Sequence, residues 1–311
     1  MPEEPSDNPA VDDFTRYRPL LFSIAYRMLG SVADAEDILQ EAFLRWHGAA
    51  DIDVQSSRAY LVTIVSRLCI NHLQSARVRR EEYVGQWLPE PIVTEPQPDP
   101  LEISRVDESL SIAFLVLLER LSPVERAVFL LREVFDYPYP EVAEIIGTDV
   151  DSARHLVARA RQQVRDRRPR YHATRRERED LAHRFLAAAQ QGDLPALEAL
   201  LAQDVAMHAD GGGKVPALAR PLNGRDRVAR ALAAGMAAAA RFGVRIEVAD
   251  VNGEPGALAF DQQDRLVAVI GLDIAEGQIQ TIHSVVNPDK LRHFDGVGDL
   301  AALVRDNRRH S

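Results

Sequence analysis

The chain is poor in cysteine, lysine and aromatic residues. Cys69 is the single cysteine among 311 residues, which excludes an intramolecular disulfide and a thiolate zinc site. It lies amid Val65, Leu68 and Ile70, the setting of a small buried hydrophobe. Lysine occurs only as Lys214 and Lys290, so arginine supplies the rest of the 37 cationic side chains. No run of about eighteen apolar residues exists, so no membrane-spanning helix is expected. The N-terminus, Met1-Pro-Glu-Glu-Pro-Ser-Asp7, has neither the cationic nor the apolar stretch of a secretory signal. These absences point to the cytoplasm. What is present is a hydrophobic fraction of 46% in a chain long enough for two or three domains, with a formal net charge of −10.

The spacing predicts helices from Val11 to about Glu82. Phe14, Tyr17, Leu20, Leu21, Ile24, Ala25 and Met28 form one stripe that Gly30 ends. Ser31 caps a second helix to Trp46, and Ser56 or Ser57 starts a third reaching Arg80. Five prolines between Gln86 and Pro100 make that segment an extended linker. Helix resumes from Leu101 to Leu121, and Ser122-Pro123 opens another to Glu133. Tyr139 to Gly147 then reads as a short helix with a glycine break. Ser152 to Arg168 reads as a second helix, capped from Asp149–Asp151. Its apolar stripe is Ala153, Leu156, Val157, Ala160 and Val164, and its other faces carry Arg154, His155, Arg159, Arg161 and Arg165. A tight turn followed by a cationic helix is what a major-groove reader needs. In a chain that should repel DNA overall, such a cluster reads as a local footprint. A solvated helical face is the alternative for this segment taken alone.

The helix Asp34–Trp46 turns Ala35, Ile38, Leu39, Ala42, Phe43 and Trp46 inward. Its outward face presents Asp34, Asp37, Gln40, Glu41 and Leu44. A carboxylate row with a projecting leucine suits a cationic protein partner better than nucleic acid. Along the next helix Tyr60, Arg67, Asn71, Arg77 and Arg80 interleave aromatic, amide and guanidinium groups. Aromatic faces stack on splayed bases while arginines hold phosphates. The plainer alternative leaves Tyr60 in the core and makes Arg77–Arg80 a charge cluster favoured by the helix dipole.

The order of these parts resembles a bacterial extracytoplasmic-function (ECF) sigma factor over about residues 11 to 170. The carrying motifs are Asp34-Ala-Glu-Asp37, the aromatic and basic helix, and Ser122-Pro-Val-Glu-Arg-Ala-Val-Phe-Leu-Leu-Arg132 ahead of the helix-turn-helix. The resemblance implies that Asp34, Asp37, Gln40, Glu41 and Leu44 face the β′ clamp helices of core RNA polymerase, with the β flap as a further contact. It implies promoter DNA at the −10 element for Tyr60, Arg67, Asn71, Arg77 and Arg80. At the −35 element it implies Ser152, Arg154, His155 and Arg159. The family often has Trp where this chain has Tyr60.

Beyond Leu181 the texture changes. Helices 181–191 and 195–201 precede a strand at Asp204–His208, then an alanine-rich helix, Arg225–Ala240. Strands follow at Val244–Val251, Ala257–Asp261, Leu266–Ile274 and Gln278–Val286. Helices followed by an antiparallel meander make a small α+β domain. The pattern resembles the SnoaL-like (NTF2-like) cone, a set of helices against a curved antiparallel sheet. Trp87-Leu88-Pro89-Glu-Pro91, Asp210-Gly-Gly-Gly-Lys214 and Asn287-Pro288-Asp289-Lys290-Leu291 are similar to a sigma subgroup carrying this fused domain. That resemblance implies control of activity by the appended domain and tail, through contact with the sigma domains and linker. Trp87 and Leu88 lie in a Pro-stiffened strand that enters a pocket at little ordering cost. Asp210, Lys214, Asp289 and Lys290 have the charges to bridge the Asp210 turn and the Asn287 turn.

The expected organisation is multidomain: two all-α sigma domains and an α+β cone. The sigma region 2 bundle spans 11–84, a linker 85–105, the region 4 helix-turn-helix 106–170, the cone 178–295 and a tail 296–311. Gly211-Gly-Gly-Lys214 lacks the Walker spacing and a following helix. His208, Asp210 and His283 are acid–base candidates if the cone holds an enzyme site, and His208 and Asp210 share a strand face. No catalysis, cofactor or metal is expected, and the cone leaves room for a small-molecule ligand. The competing class is a DNA-binding regulator with an enzymatic or ligand-sensing cone and no polymerase role. The acidic outward face of Asp34–Trp46 separates the two.

Overall fold

A computed structural model describes residues 9–48, 56–81, 83–94, 109–165 and 174–308. Contacts divide the chain into two compact units, Met1–Glu82 with Leu117–Arg167, and Tyr83–Val116 with Arg168–Ser311. In the first unit α1 (Pro9–Leu29), α2 (Val32–His47) and α3 (Ser57–Glu81) form the N-terminal helices. Gly30 takes a φ of 67° between α1 and α2, a conformation that suits glycine. The Ser31 hydroxyl then accepts from the Asp34 amide at 3.1 Å, satisfying an end donor of α2. Ala35, Ile38, Leu39, Ala42 and Trp46 are buried on the inner face of α2. Cys69 is fully buried on α3, and that burial pushes its thiol up, away from reactivity.

Helix α4 (Ile112–Leu118) ends the linker, and α5 (Pro123–Phe129) opens on a capping box between Ser122 and Glu125. It continues into a π-helical turn, Leu130–Val134, where the sequence reads as uninterrupted helix. Helix α6 (Tyr139–Ile146) stops at Gly147, whose φ is 79°. Helix α7 (Val150–Arg165) is capped by Asp149, whose carboxylate accepts from the Ser152 amide at 2.8 Å. Ala153, Val157, Ala160 and Val164 are its buried stripe. The sequence extends this helix to Arg168, and residues 166–170 lie outside the described ones.

The second unit carries α8 (Arg175–Gln191), α9 (Leu194–Leu200), β2 (Leu201–Asp210), β3 (Leu222–Asn223) and α10 (Arg225–Arg241). Strands β4 (Arg245–Val251), β5 (Glu254–Phe260), β6 (Leu266–Ala275) and β7 (Gln278–Val285) follow, then a 3-10 turn at Pro288–Leu291 and α11 (Leu300–Arg308). Among the described residues the sheet has the order β1-β4-β5-β6-β7-β2-β3. Strand β1 is Val93–Thr94, from the proline-rich linker, paired antiparallel with Val251 and Asp250. Sequence reading makes this segment linker alone, because two residues between prolines give no period. The sheet is also mixed rather than wholly antiparallel, since β2 runs parallel to β7. Helix α10, between β2 and the meander, begins the crossover that parallel pairing needs.

The two sheet faces bury different partners. Ala257, Leu272, Ile274 and Ile282 pack with Phe185, Leu197 and Val228 of the helices. On the opposite face Val251, Val269 and Val285 pack with Leu88, Ile112 and Leu291. Linker and sheet therefore share one core. Leu300, Ala301 and Leu303 of α11 pack with Val215, Val267 and Val286.

Candidate nucleic-acid surfaces and a linker clasp

Asp210 ends β2 with a carboxylate that has no exposure to solvent. One oxygen accepts from the Tyr83 hydroxyl at 2.5 Å and the Gly212 amide at 3.0 Å. The other accepts from the Leu88 amide at 2.8 Å and from Lys290 Nζ at 2.7 Å. Lys290 Nζ also donates to the Leu88 carbonyl and lies 4.3 Å from the centre of the Trp87 ring. A buried cation is tolerable only when paired and hydrogen-bonded in this way. Asn287 Nδ2 donates to the Tyr83 hydroxyl at 2.9 Å. Burial and the Asp210 carboxylate together push the Tyr83 phenol up, so it stays a neutral donor.

Lys214 pairs with Asp289, so the Asp210 and Asn287 turns meet through two ion pairs, one buried and one at the surface. A Cβ at Gly212, whose φ is +57°, would lie 2.2 Å from Asn287 Nδ2. The concavity of the glycine turn is thus filled by protein, which leaves no phosphate cradle. Pro89 is buried beside Leu88, Pro288 is half-buried in the 3-10 turn, and Leu291 joins the shared core.

Three anchors of the linker escaped sequence reading. Asn252 adopts a φ of 54° in the β4–β5 turn and is buried. Its amide side chain accepts from the Ile92 amide at 2.9 Å and donates to the Leu110 carbonyl at 3.0 Å, holding the linker at both points. Gln86 Oε1 accepts from His208 Nδ1 at 2.8 Å, and His293 Nε2 donates to the Pro91 carbonyl at 2.8 Å. An Asn-Gly turn signals a hairpin, and nothing in the sequence says that its side chain grips a distant segment.

His208 and His283 stack with ring centres 5.4 Å apart on neighbouring strands. Burial, and secondarily the His208 charge, drives the His283 pKa down to about 3. His208, half-buried, is lowered by burial. Because the folded pKa lies below the unfolded value, the neutral imidazole contributes stability that is complete above the unfolded pKa. That stability is lost as pH falls toward the folded one. Urea unfolding of the full chain should therefore show a loss of about 2 kcal/mol between pH 6.5 and pH 5 that His283→Leu removes. A variant with the same pH slope as the parent would refute this assignment.

In the first unit Asp37, Gln40, Glu41 and Leu44 are exposed along α2, Leu44 at 64%. Asp34, half-exposed, stands 3.6 Å from His72. Tyr60 is partly buried against Trp46, with ring centres 5.8 Å apart. Asn71 is exposed, and the side chains of Arg77 and Arg80 lie outside the described residues. Arg67 does not stand free: its guanidinium donates to the Ile145 carbonyl at 2.8 Å and the Glu144 carbonyl at 3.0 Å. On α7 Arg154 and His155 are exposed. Ser152 is tied to Asp149 at 2.6 Å, and Arg159 leans back onto Glu125 at 2.5 Å. Hydrogen bonds from Arg159 and Ser122 outweigh burial and hold the Glu125 carboxyl below its ordinary value.

Capped helices feeding a helix-turn-helix, with a separate acidic helix ahead of them, define a sigma-type transcription factor. The chain matches Sigma-70 region 2 over residues 14–79 and Sigma-70 region 4 over residues 111–164. It is 38% identical over 299 residues to the ECF RNA polymerase sigma factor SigJ of Mycobacterium tuberculosis, covering 90% of this chain and 92% of that one. Identity to the probable ECF RNA polymerase sigma factor SigI of the same species is 32%, over 91% and 95% of the two chains. The crystal structure of SigJ superposes with a TM-score of 0.72 at 35% identity, covering 92% of this chain and 99% of that one. The chain belongs to the ECF RNA polymerase sigma factor family, and its C-terminal part is a mixed α+β domain. Among the described residues no helix is long and apolar enough to cross a membrane.

Proposed function

We propose that this sigma factor docks on the clamp helices of core polymerase through Asp34, Asp37, Gln40, Glu41 and Leu44. It reads the −10 element from α3 and the −35 element from α7, and its own C-terminal domain regulates both by gripping the linker. The observation that carries the docking is Leu44, a large apolar side chain held out to solvent on a helix whose inner face is fully packed. Exposed carboxylates around it provide long-range attraction to a cationic surface. The clasp at Asp210 and Lys290 supports a regulatory rather than catalytic cone, because Asp210, Lys290 and His208 all engage the linker. Such a protein works in the cytoplasm with polymerase.

Leu44→Asp should lower core polymerase binding by at least about thirtyfold, the loss typical of an interface anchor. Circular dichroism should be unchanged, since the side chain supports no core. Pull-down of core polymerase by the full chain checks this, and unaltered capture by the variant would sink the docking face. The same assay discards the reading of a free-standing DNA-binding regulator, which has no use for that face.

A further inference from the structure

His283 lies on β7 between His208 of β2 and Gly271 of β6. It is 4% exposed, and neither ring nitrogen has a hydrogen-bond partner among the described residues. Leaving a buried polar group unmet costs about 1–3 kcal/mol, so such a group calls for an occupant or a role. Beside it is a cavity of ≈ 10 Å³, lined by Ser111, Ile112, Glu254, Gly271, Asp273 and His283. That is room for about one water-sized group. The floor is a glycine, and a Cβ at Gly271 would lie 2.9 Å from Cδ1 of Ile112. Ile112 thus fills the space over the bare strand. The roof, Ser111–Ala113, follows Leu110, which Asn252 holds in place.

We propose that this cavity is the closed form of a binding site for a small neutral molecule with one hydroxyl or N–H donor and a compact apolar body. The donor meets a ring nitrogen of His283, and the body takes the place of Ile112. The neighbouring carboxylates of Asp273 and Glu254 oppose an anion. Glu254 is already engaged by Arg178, so a cation that leaves its water shell gains no counter-charge from it. Entry lifts Ser111–Ala113, which couples occupancy to the linker, and this coupling rests on the reading of the linker clasp as regulatory.

The test uses the full chain with cyclohexanol, cyclohexanecarboxylate and cyclohexylammonium. Imidazole NMR of His283 and amide hydrogen exchange across residues 110–113 are the readouts. Cyclohexanol should shift the His283 resonances, speed that exchange and bind at least about tenfold more tightly than either charged analogue. His283→Leu should weaken cyclohexanol about tenfold, while Ile112→Ala, which vacates the body of the site, should tighten it. No response in the parent chain, or binding confined to Ile112→Ala, overturns the proposal. Lys290→Met separates the two readings, because it should speed exchange at residues 83–92 with no alcohol present. If it does so while cyclohexanol fails to bind, the site falls and the clasp stands. If cyclohexanol binds while Lys290→Met changes nothing, the site stands without its link to regulation.

Discussion

Replacing Asp210 by alanine is expected to destabilise the second unit by about 3–5 kcal/mol, the usual cost of removing one partner of a buried ion pair. The change strands Lys290, which is buried and holds its second bond at the Leu88 carbonyl. It also removes the acceptor of the Leu88 amide and the Tyr83 hydroxyl. Lys290→Met in the same chain should restore part of the loss, because the stranded charge disappears and an apolar chain takes its place. The two changes are thus strongly non-additive. Lys214→Ala is the internal control. Its side chain is 52% exposed and that of Asp289 38% exposed, so the pair contributes within about 1 kcal/mol. Urea unfolding measures all four chains, and hydrogen exchange at residues 83–92 reports whether the linker has left the sheet. Transcription from the cognate promoter should change with Asp210→Ala and not with Lys214→Ala. Equal effects from the two would mean that the Asp210–Lys290 node does not govern the linker.

Much of the first unit is legible in sequence because its stops are chemical. Gly30 and Gly147 supply left-handed turns, and Ser31 and Ser122 supply caps, so helix ends fall where the residues place them. The clasp residues were visible as motifs in three separate places, yet their pairing was not. Lys290 adjoins Asp289 in sequence and pairs instead with Asp210, while Asp289 pairs with Lys214. Only the parallel meeting of β2 and β7 brings the two turns together, as Val286 donates to the Asp210 carbonyl at 2.9 Å. Strand β1 is illegible for the opposite reason. Its pairing is fixed by the β4 edge and by Asn252, and so by residues about 160 positions away. Strand β5 begins at Glu254 rather than Ala257, since Pro255 and Gly256 hide a paired segment from any propensity scale. Arg67 likewise reads as a free phosphate contact until the carbonyls at the end of α6 are seen to hold it.

Arg126→Leu is expected to raise promoter affinity, although Arg126 is itself buried. Its guanidinium is buried, donating to the Met28 carbonyl at 2.6 Å and to Glu119 at 2.8 Å. It thereby ties α5 to the end of α1. Arg67 ties α3 to the C-terminal carbonyls of α6, groups that a helix leaves unpaired and partly negative. One strut thus joins α3 to the first helix of the helix-turn-helix, and the other joins α1 to α5 just ahead of it. Promoter elements centred near −10 and −35 lie about 25 base pairs apart, roughly 85 Å of B-DNA. With α3 and α7 as the proposed −10 and −35 readers, the bonded form is expected to be binding-incompetent, and its population then lowers apparent affinity. Removing about 1.4 kcal/mol of closure should raise affinity about tenfold. Arg67→Ala loosens the same contact but also deletes a proposed −10 contact, so its net effect on promoter binding should be smaller or opposite. Spin labels on Gln74 and Gln162, both exposed, report the separation of α3 and α7 by pulsed electron resonance. A single short distance is expected for the parent, spreading to longer ones in Arg126→Leu. If that distribution stays short while affinity rises, closure is not what limits binding. If neither changes, the buried guanidinium serves only the packing of the first unit.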